Sequence, residues 1–285
     1  MGWCPDYLVQ YQVLELLELS NIAFRRAKVT MHFSALPILA TIATFTSSAI
    51  AAPKAKPPAF FLAGDSTTAV QSAGGGGWGD GFLNTTLKNG ATGKNFGHNG
   101  ATTVSFRSGG DWANVLSAAK TAASKYTPYV TIQFGHNDQK PEKNISMADL
   151  TANLVKFVDE ARAVGATPIL VTSLSRRKYS NGKVQESLAD VTAAAKEAAS
   201  KSKADIIDLN GASTKYLNSI GADNAATYNL NPTDFTHLNA EGSVVFGNLV
   251  AQLIDAEVPE VKKYVVPVKN IAAALNAGKY IFPAV

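Results

Sequence analysis

The stretch FFLAGDSTTAV, residues 60–70, decides how the rest of the chain is read. An apolar run ends at Ala63, breaks on Gly64, and gives way at once to Asp65, Ser66 and two threonines. A short apolar run of this kind suits a strand buried on both faces. Gly, Asp and Ser also favour turns, for steric reasons and through local hydrogen bonds. Ser66 therefore reads in two ways, as the polar end of a buried strand or as a nucleophile placed by one.

Working outward, the same pattern recurs. Residues 129–134 (YVTIQF), 167–172 (TPILVT) and 205–209 (DIIDL) are strand-like, and residues 94–96 are a weaker candidate. Between them lie helical spacings. Leu150, Leu154, Phe157, Val158 and Ala161 fall at helical intervals within 147–164, residues 186–203 are rich in Ala, Lys and Glu, and 240–257 is an amphipathic closing helix. Strand and helix in alternation predict right-handed crossovers and a parallel sheet with helices on both faces. Ligand sites in such sheets lie at the carboxyl ends of the strands.

The chain has 285 residues, 46% hydrophobic and 17% charged, which suits one globular domain with extensions. Its formal charge of +4 comes from scattered basic residues, so no nucleic-acid footprint is read. Arg176-Arg177-Lys178, the densest basic cluster, reads as a solvated loop. Cys4 is the only cysteine, which excludes an intramolecular disulfide. Residues 31–51 read as a cleaved secretory signal: an apolar stretch, then Ala49 and Ala51 in an A-x-A pattern, then a Pro-rich segment. Residues 1–30 are either a mispredicted extension before a true start at Met31, or the front of a longer signal flanked by Arg25, Arg26 and Lys28. After signal cleavage no stable membrane association is expected.

The strand ends collect the polar residues. Gly64-Asp65-Ser66 closes the first, GHNGATT (97–103) follows the weak second, FGHNDQK (134–140) closes the third, and NPTDFTHLNAEG (231–242) precedes the closing helix. A serine hydroxyl needs a general base within hydrogen-bond reach, and the base needs an orienting partner. His237 is the right residue type for the base, and Asp234, three residues before it, can reach its other ring nitrogen. A tetrahedral intermediate also needs donors aimed at its oxyanion. The Ser66 and Gly100 main-chain N–H groups and the Asn137 side chain are the candidates.

The four blocks in this order resemble the SGNH hydrolases, also called GDSL esterases. GDSTTA resembles the first block, with Thr67 where many members have Leu. NFGHNGATT resembles the second, GHND the third and DFTHLNAEG the fifth. The subgroup most similar is the rhamnogalacturonan acetylesterases, through LAGDST, GWG, FGHND and the Asp-x-Thr-His block. Related members often carry an Arg-Ser pair after the second-block glycine, where this chain has Ala101-Thr102-Thr103. That departure touches polysaccharide specificity and leaves the hydrolase chemistry alone.

The resemblance implies a flavodoxin-like α/β/α sandwich with a central, mostly parallel five-stranded sheet. It implies a serine esterase acting on O-acetyl groups of plant cell-wall polysaccharide. The signal-like segment makes it secreted, the wide spacing of His98, His136 and His237 argues against a metal, and no cofactor and a monomer are expected. The expected layout is a catalytic domain over 57–257 and a C-terminal tail over 258–285. A lipase or acyl esterase on small or lipid esters is the first alternative, and a non-catalytic carbohydrate-binding protein of the same fold the second. The glycine-rich run 74–79 lacks the context of a dinucleotide or phosphate loop. It reads either as a flexible loop offering Trp78 for sugar stacking or as a surface linker. His98 reads as a substrate contact or a plain loop histidine. Asp65 and His136 read as structural.

Overall fold

Strand β1 (Pro58–Gly64) is buried from end to end, as its unbroken apolar run requires. It belongs to the computed structural model of the protein, which describes residues 55–285. The proposed signal peptide and the segment before it lie outside those residues. β1 pairs in parallel with β2 (Thr92–Asn95) on one side and β3 (Thr127–Gln133) on the other. β4 (Thr167–Val171) and β7 (Asp205–Ile207) extend the sheet, in the order β2-β1-β3-β4-β7 and parallel throughout. A two-strand antiparallel hairpin, β5 (Tyr179–Ser180) and β6 (Lys183–Val184), stands apart.

Successive side chains of a strand point to opposite faces, and β1 divides the core accordingly. Phe60 and Leu62 enter one apolar cluster, while Ala59, Phe61 and Ala63 enter the other. The first cluster lies beneath α1 (Gly79–Thr86), α6 (Leu209–Ile220), α8 (Ala240–Glu257) and α9 (Lys269–Ala277). The second lies beneath α3 (Asp111–Ala122), α4 (Met147–Ala163) and α5 (Ala189–Ser202). Two short helices, α2 (Thr103–Ser108) and α7 (Ala222–Ala226), complete the set. This is the expected three-layer α/β/α sandwich around a five-stranded sheet.

Local rules explain where sequence and structure part. β2 reads weakly because it is an edge strand with alternating exposed and half-buried residues. The run 205–209 is strand only to Ile207: the Asp208 side chain accepts from Gly211 N at 3.1 Å and caps α6, so Leu209 opens a helix. α4 starts on a Ser146/Asp149 capping box. The segment read as a tail packs into the core, with Val258, Val261, Val265, Ile271 and Leu275 all buried. Val265 bridges Leu87, and the Tyr228 hydroxyl donates to the Ile281 carbonyl.

Candidate active site

The nucleophile candidate sits where β1 stops. Asp65 N donates to Gln133 O at 3.3 Å, and Thr68 N and Ala69 N both donate to Asp65 O at 3.1 Å, which closes a tight turn around Ser66. Ser66 is 5% exposed, and Asp65, Thr67 and Thr68 are fully buried. The Asp65 carboxylate accepts from Thr67 N at 2.9 Å and Thr67 Oγ1 at 2.8 Å, and its second oxygen faces His136 Nδ1 at 3.6 Å. Burial pushes this carboxyl up, but His136 and the Thr67 donors outweigh it and hold the group below the ordinary aspartate value. A buried polar chain continues outward: Gln133 Nε2 donates to Thr67 Oγ1, and Trp78 Nε1 donates to Gln133 Oε1 at 2.7 Å.

The loop before α8 brings His237 to the serine. His237 Nε2 lies 2.8 Å from Ser66 Oγ, and His237 Nδ1 lies 2.7 Å from Asp234 Oδ2. With the proton on Nδ1, the ring donates to Asp234 and accepts from Ser66. Asp234 Oδ1 also accepts from Thr236 N and His237 N, both at 2.9 Å. Burial raises the Asp234 pKa, and the hydrogen bonds from His237 and Thr236 overcome that and lower it, so the carboxylate stays charged. Asn239 caps α8 by accepting from Gly242 N at 2.8 Å, fixing where this loop ends.

Arg177 braces the same loop from beneath. It is 2% exposed, its Nε donates to Asn229 Oδ1 at 2.7 Å, and its Nη2 donates to His237 O at 2.5 Å. Desolvation pulls its pKa down to about 10, with Asp234 and Tyr179 acting the other way. The Arg176-Arg177-Lys178 cluster is therefore not the solvated loop its sequence predicts. Only Lys178 is exposed, and Arg176 is half-buried. A run of cations looks the same in sequence whether water or main-chain carbonyls solvate it.

The oxyanion candidates sit at the ends of the three adjacent strands β2, β1 and β3. Asn137 is 5% exposed, and its Nδ2 donates to Ala101 O at 3.0 Å, which leaves one amide proton over. Its Oδ1 accepts from Lys140 Nζ at 2.8 Å, fixing which end of the amide faces which way. Gly100 has φ +76, a left-handed conformation that glycine adopts freely. Its loop is tied to β1 by His98 N donating to Gly64 O at 3.0 Å. Asp138 completes the tie between β3 and this loop, accepting from Thr103 N at 2.9 Å and Thr103 Oγ1 at 2.6 Å. Burial raises its carboxyl pKa, and nearby Asp65 adds to the rise.

Two secondary expectations separate here. His98 is exposed beside Gly100, its Nδ1 2.8 Å from Asp111 Oδ2, in a shallow hollow of about 170 Å³. Trp78 is fully buried and packs edge-on against Phe82 at 6.1 Å. It is not a sugar-stacking surface, because its apolar area is drawn into the core and its one N–H has found Gln133. Nor is the glycine-rich run a surface linker. Trp78 N donates to Thr67 O at 3.0 Å and Leu238 N to Gly76 O at 2.9 Å, so the run joins the serine turn to the histidine loop. A Cβ on Gly77 would lie 1.8 Å from Thr67 O, which only glycine avoids. Residues 72–74 form its exposed tip. Among the described residues no group of three His, Cys, Asp or Glu side chains is arranged to hold a metal ion.

Comparison with known proteins gives concordant results. Residues 62–245 match the GDSL-like lipase/acylhydrolase family. The chain is 31% identical over 216 residues to rhamnogalacturonan acetylesterase RhgT of Bacillus subtilis, covering 70% of this chain and 90% of that protein. The crystal structure of protein YxiM of Bacillus subtilis superposes with a TM-score of 0.62 at 24% identity, over 71% of this chain and 57% of that one. An acetylxylan esterase of Geobacillus stearothermophilus matches with a TM-score of 0.50 at 19% identity, over 71% of this chain and 94% of that one. These two structural likenesses speak to the fold.

Proposed function

The chain belongs to the GDSL-like lipase/acylhydrolase family and is a carboxylic ester hydrolase, and on that premise we propose that it releases acetate from O-acetylated plant cell-wall polysaccharide of the rhamnogalacturonan type. The observation that carries the reading is the position of His237, 2.8 Å from Ser66 Oγ and 2.7 Å from Asp234. The relationship to an acetylesterase of rhamnogalacturonan supports the acyl group and the polymer. The composition of residues 31–51 supports secretion, and the reading places the protein outside the cell; it is also read as a monomer that needs no cofactor.

In this mechanism Ser66 Oγ attacks the acetyl carbonyl carbon as its proton passes to His237 Nε2. The imidazolium is stabilised by Asp234, which hydrogen bonding to His237 and Thr236 keeps ionised. The carbonyl oxygen becomes an oxyanion, held by the Ser66 and Gly100 N–H groups and the remaining Asn137 amide proton. Collapse expels the sugar hydroxyl, which takes the proton from His237 and leaves the acetyl group on Ser66. Water then adds to the acyl-enzyme, gives its proton to His237, and acetate departs as Ser66 recovers its proton.

The test is acetate release by the purified protein beside Ser66→Ala, on acetylated rhamnogalacturonan, acetylated xylan, p-nitrophenyl acetate and a long-chain p-nitrophenyl ester. Ser66-dependent release from the pectic polymer supports the whole reading. Activity confined to the long-chain ester moves the protein to the lipase reading. No Ser66-dependent activity on any of them moves it to a binding protein.

A further inference from the structure

Arg176 follows the carboxyl end of β4, and its guanidinium lies among three segments, two of which belong to the site. Nε donates to Thr236 Oγ1 at 3.3 Å, on the residue next to His237. Nη1 donates to Ser187 Oγ at 3.0 Å. Gln139, two residues beyond Asn137, accepts from Nη1 at 3.3 Å in the amide orientation that satisfies both of its polar atoms. All three partners are neutral. Among the described residues no carboxylate lies within ion-pair distance of Arg176, and its Nη2 has no partner.

Arg162 also lacks a carboxylate, but both of its Nη atoms donate to main-chain carbonyls, those of Ser202 and Lys203. Arg107 is paired with Glu160 at 2.8 Å, and Lys196 with Asp208 at 2.7 Å. Arg177 is enclosed, bonded to Asn229 and the His237 carbonyl, and Lys140 holds the Asn137 amide. Arg176 has lost water without gaining an anion, and burial lowers its pKa accordingly, with Asp65 opposing. A guanidinium in this condition is a receptor for a planar anion: its fork binds a carboxylate through parallel charge-assisted bonds, and the charge is already partly desolvated.

We propose that Arg176 is a carboxylate-binding subsite of the substrate cleft, which docks a uronic-acid carboxylate next to the acetyl ester presented to Ser66. This rests on the esterase reading above and sharpens it: the polymer is acidic, and neutral xylan-type chains lack the group that Arg176 binds. The positive net charge of the chain favours encounter with such a polymer.

The experiment compares kcat/KM of the wild type, Arg176→Gln and Arg176→Lys on four substrates. They are acetylated rhamnogalacturonan, the same polymer with its carboxyls methyl-esterified, acetylated xylan and p-nitrophenyl acetate. Arg176→Gln is expected to lose about tenfold more on the free-acid polymer than on p-nitrophenyl acetate, with Arg176→Lys in between. Methyl esterification imposes a similar loss on the wild type, and Arg176→Gln adds little to it. Equal losses on all substrates give Arg176 a structural role only and overturn the proposal, as does a wild type that treats free and esterified polymer alike.

If the wild type cleaves p-nitrophenyl acetate but neither polymer, the polysaccharide reading fails by itself. Arg176 is then judged by inhibition of p-nitrophenyl acetate hydrolysis with unacetylated oligogalacturonate. Salt-sensitive inhibition that weakens about tenfold in Arg176→Gln sustains the subsite, and its absence overturns it.

Discussion

The serine turn and the histidine loop meet across one 2.8 Å contact, yet they are built on opposite plans. The turn, residues 64–69, is buried and is secured by a carboxylate: Asp65 gathers its donors from Thr67 and faces His136. The loop, residues 229–239, is half-exposed, with Phe235 40% in solvent, and is secured by a cation: Arg177 reaches main-chain and amide oxygens from beneath. A turn locked into the end of a sheet opens only when the sheet does. A loop held at a few carbonyls can shift without unfolding. The contrast teaches that removing the group that secures the first side shows as lost stability, and removing the one that secures the second as lost rate.

The strongest check removes the proposed nucleophile. Ser66→Ala is expected to lower kcat about 10⁵- to 10⁶-fold while the melting temperature barely moves, since Asp65 and not Ser66 secures the turn. Retained acetate release in that variant breaks the assignment. Asn137→Ala comes next, with a fall of about 10²- to 10³-fold in kcat in a protein that still folds. Near-wild-type turnover removes Asn137 from the oxyanion site.

Arg177→Met and Asp65→Ala set the two plans directly against each other. Arg177→Met frees the His237 carbonyl and is expected to cost about ten- to a hundredfold in kcat through misplacement of the ring, with the smaller shift in melting. Asp65→Ala strips His136 and Thr67 of their buried partner and is expected to cost about 3 kcal/mol of stability. Equal melting shifts for the two variants dissolve the comparison.

Acid sharpens the same contrast. The Asp65 carboxyl titrates below 3.8 in the folded state. Its stabilisation is therefore complete above the ordinary aspartate value and is lost as pH falls through the lowered one. Unfolding followed by circular dichroism should set in only below about pH 4. Activity is expected to vary with pH across this range, and a flat rate profile between about pH 4 and 8 argues against His237 as the base. The smallest effect belongs to Lys140→Met. Losing the bond that orients the Asn137 amide is expected to cost about three- to tenfold in kcat with KM unchanged, and an equal change in KM assigns Lys140 to substrate binding instead.

The strands and the order of the site blocks are legible in the sequence because both are local. Phe60 to Ala63 can hardly be anything but a buried strand, and polar residues at its end must meet those at the neighbouring ends. What stays hidden depends on partners far along the chain. Trp78 beside five glycines reads the same whether it faces sugar or core, until Gln133 supplies an acceptor 55 residues away. Gln133 itself is a clue, a polar residue at the buried end of an apolar run that has to be satisfied somewhere. Arg177 hides within a basic triplet, and its burial depends on Asn229 and the His237 carbonyl. The segment from Val258 looks like a tail because its prolines break it into pieces too short to show a period.

The glycine-rich run also bears on how such an enzyme could diversify. Gly77 has no room for a side chain against Thr67, so mutational drift there is closed. A Cβ on Gly74, by contrast, would meet nothing within 4 Å. That tip sits over the loop after β2, where Asn99 Nδ2 donates to Ser72 Oγ at 3.3 Å. One short segment thus carries an immovable base and a free crest three residues apart. Insertions at the crest can reshape the surface beside the serine and change which esters reach it, while the residues beneath are inherited intact.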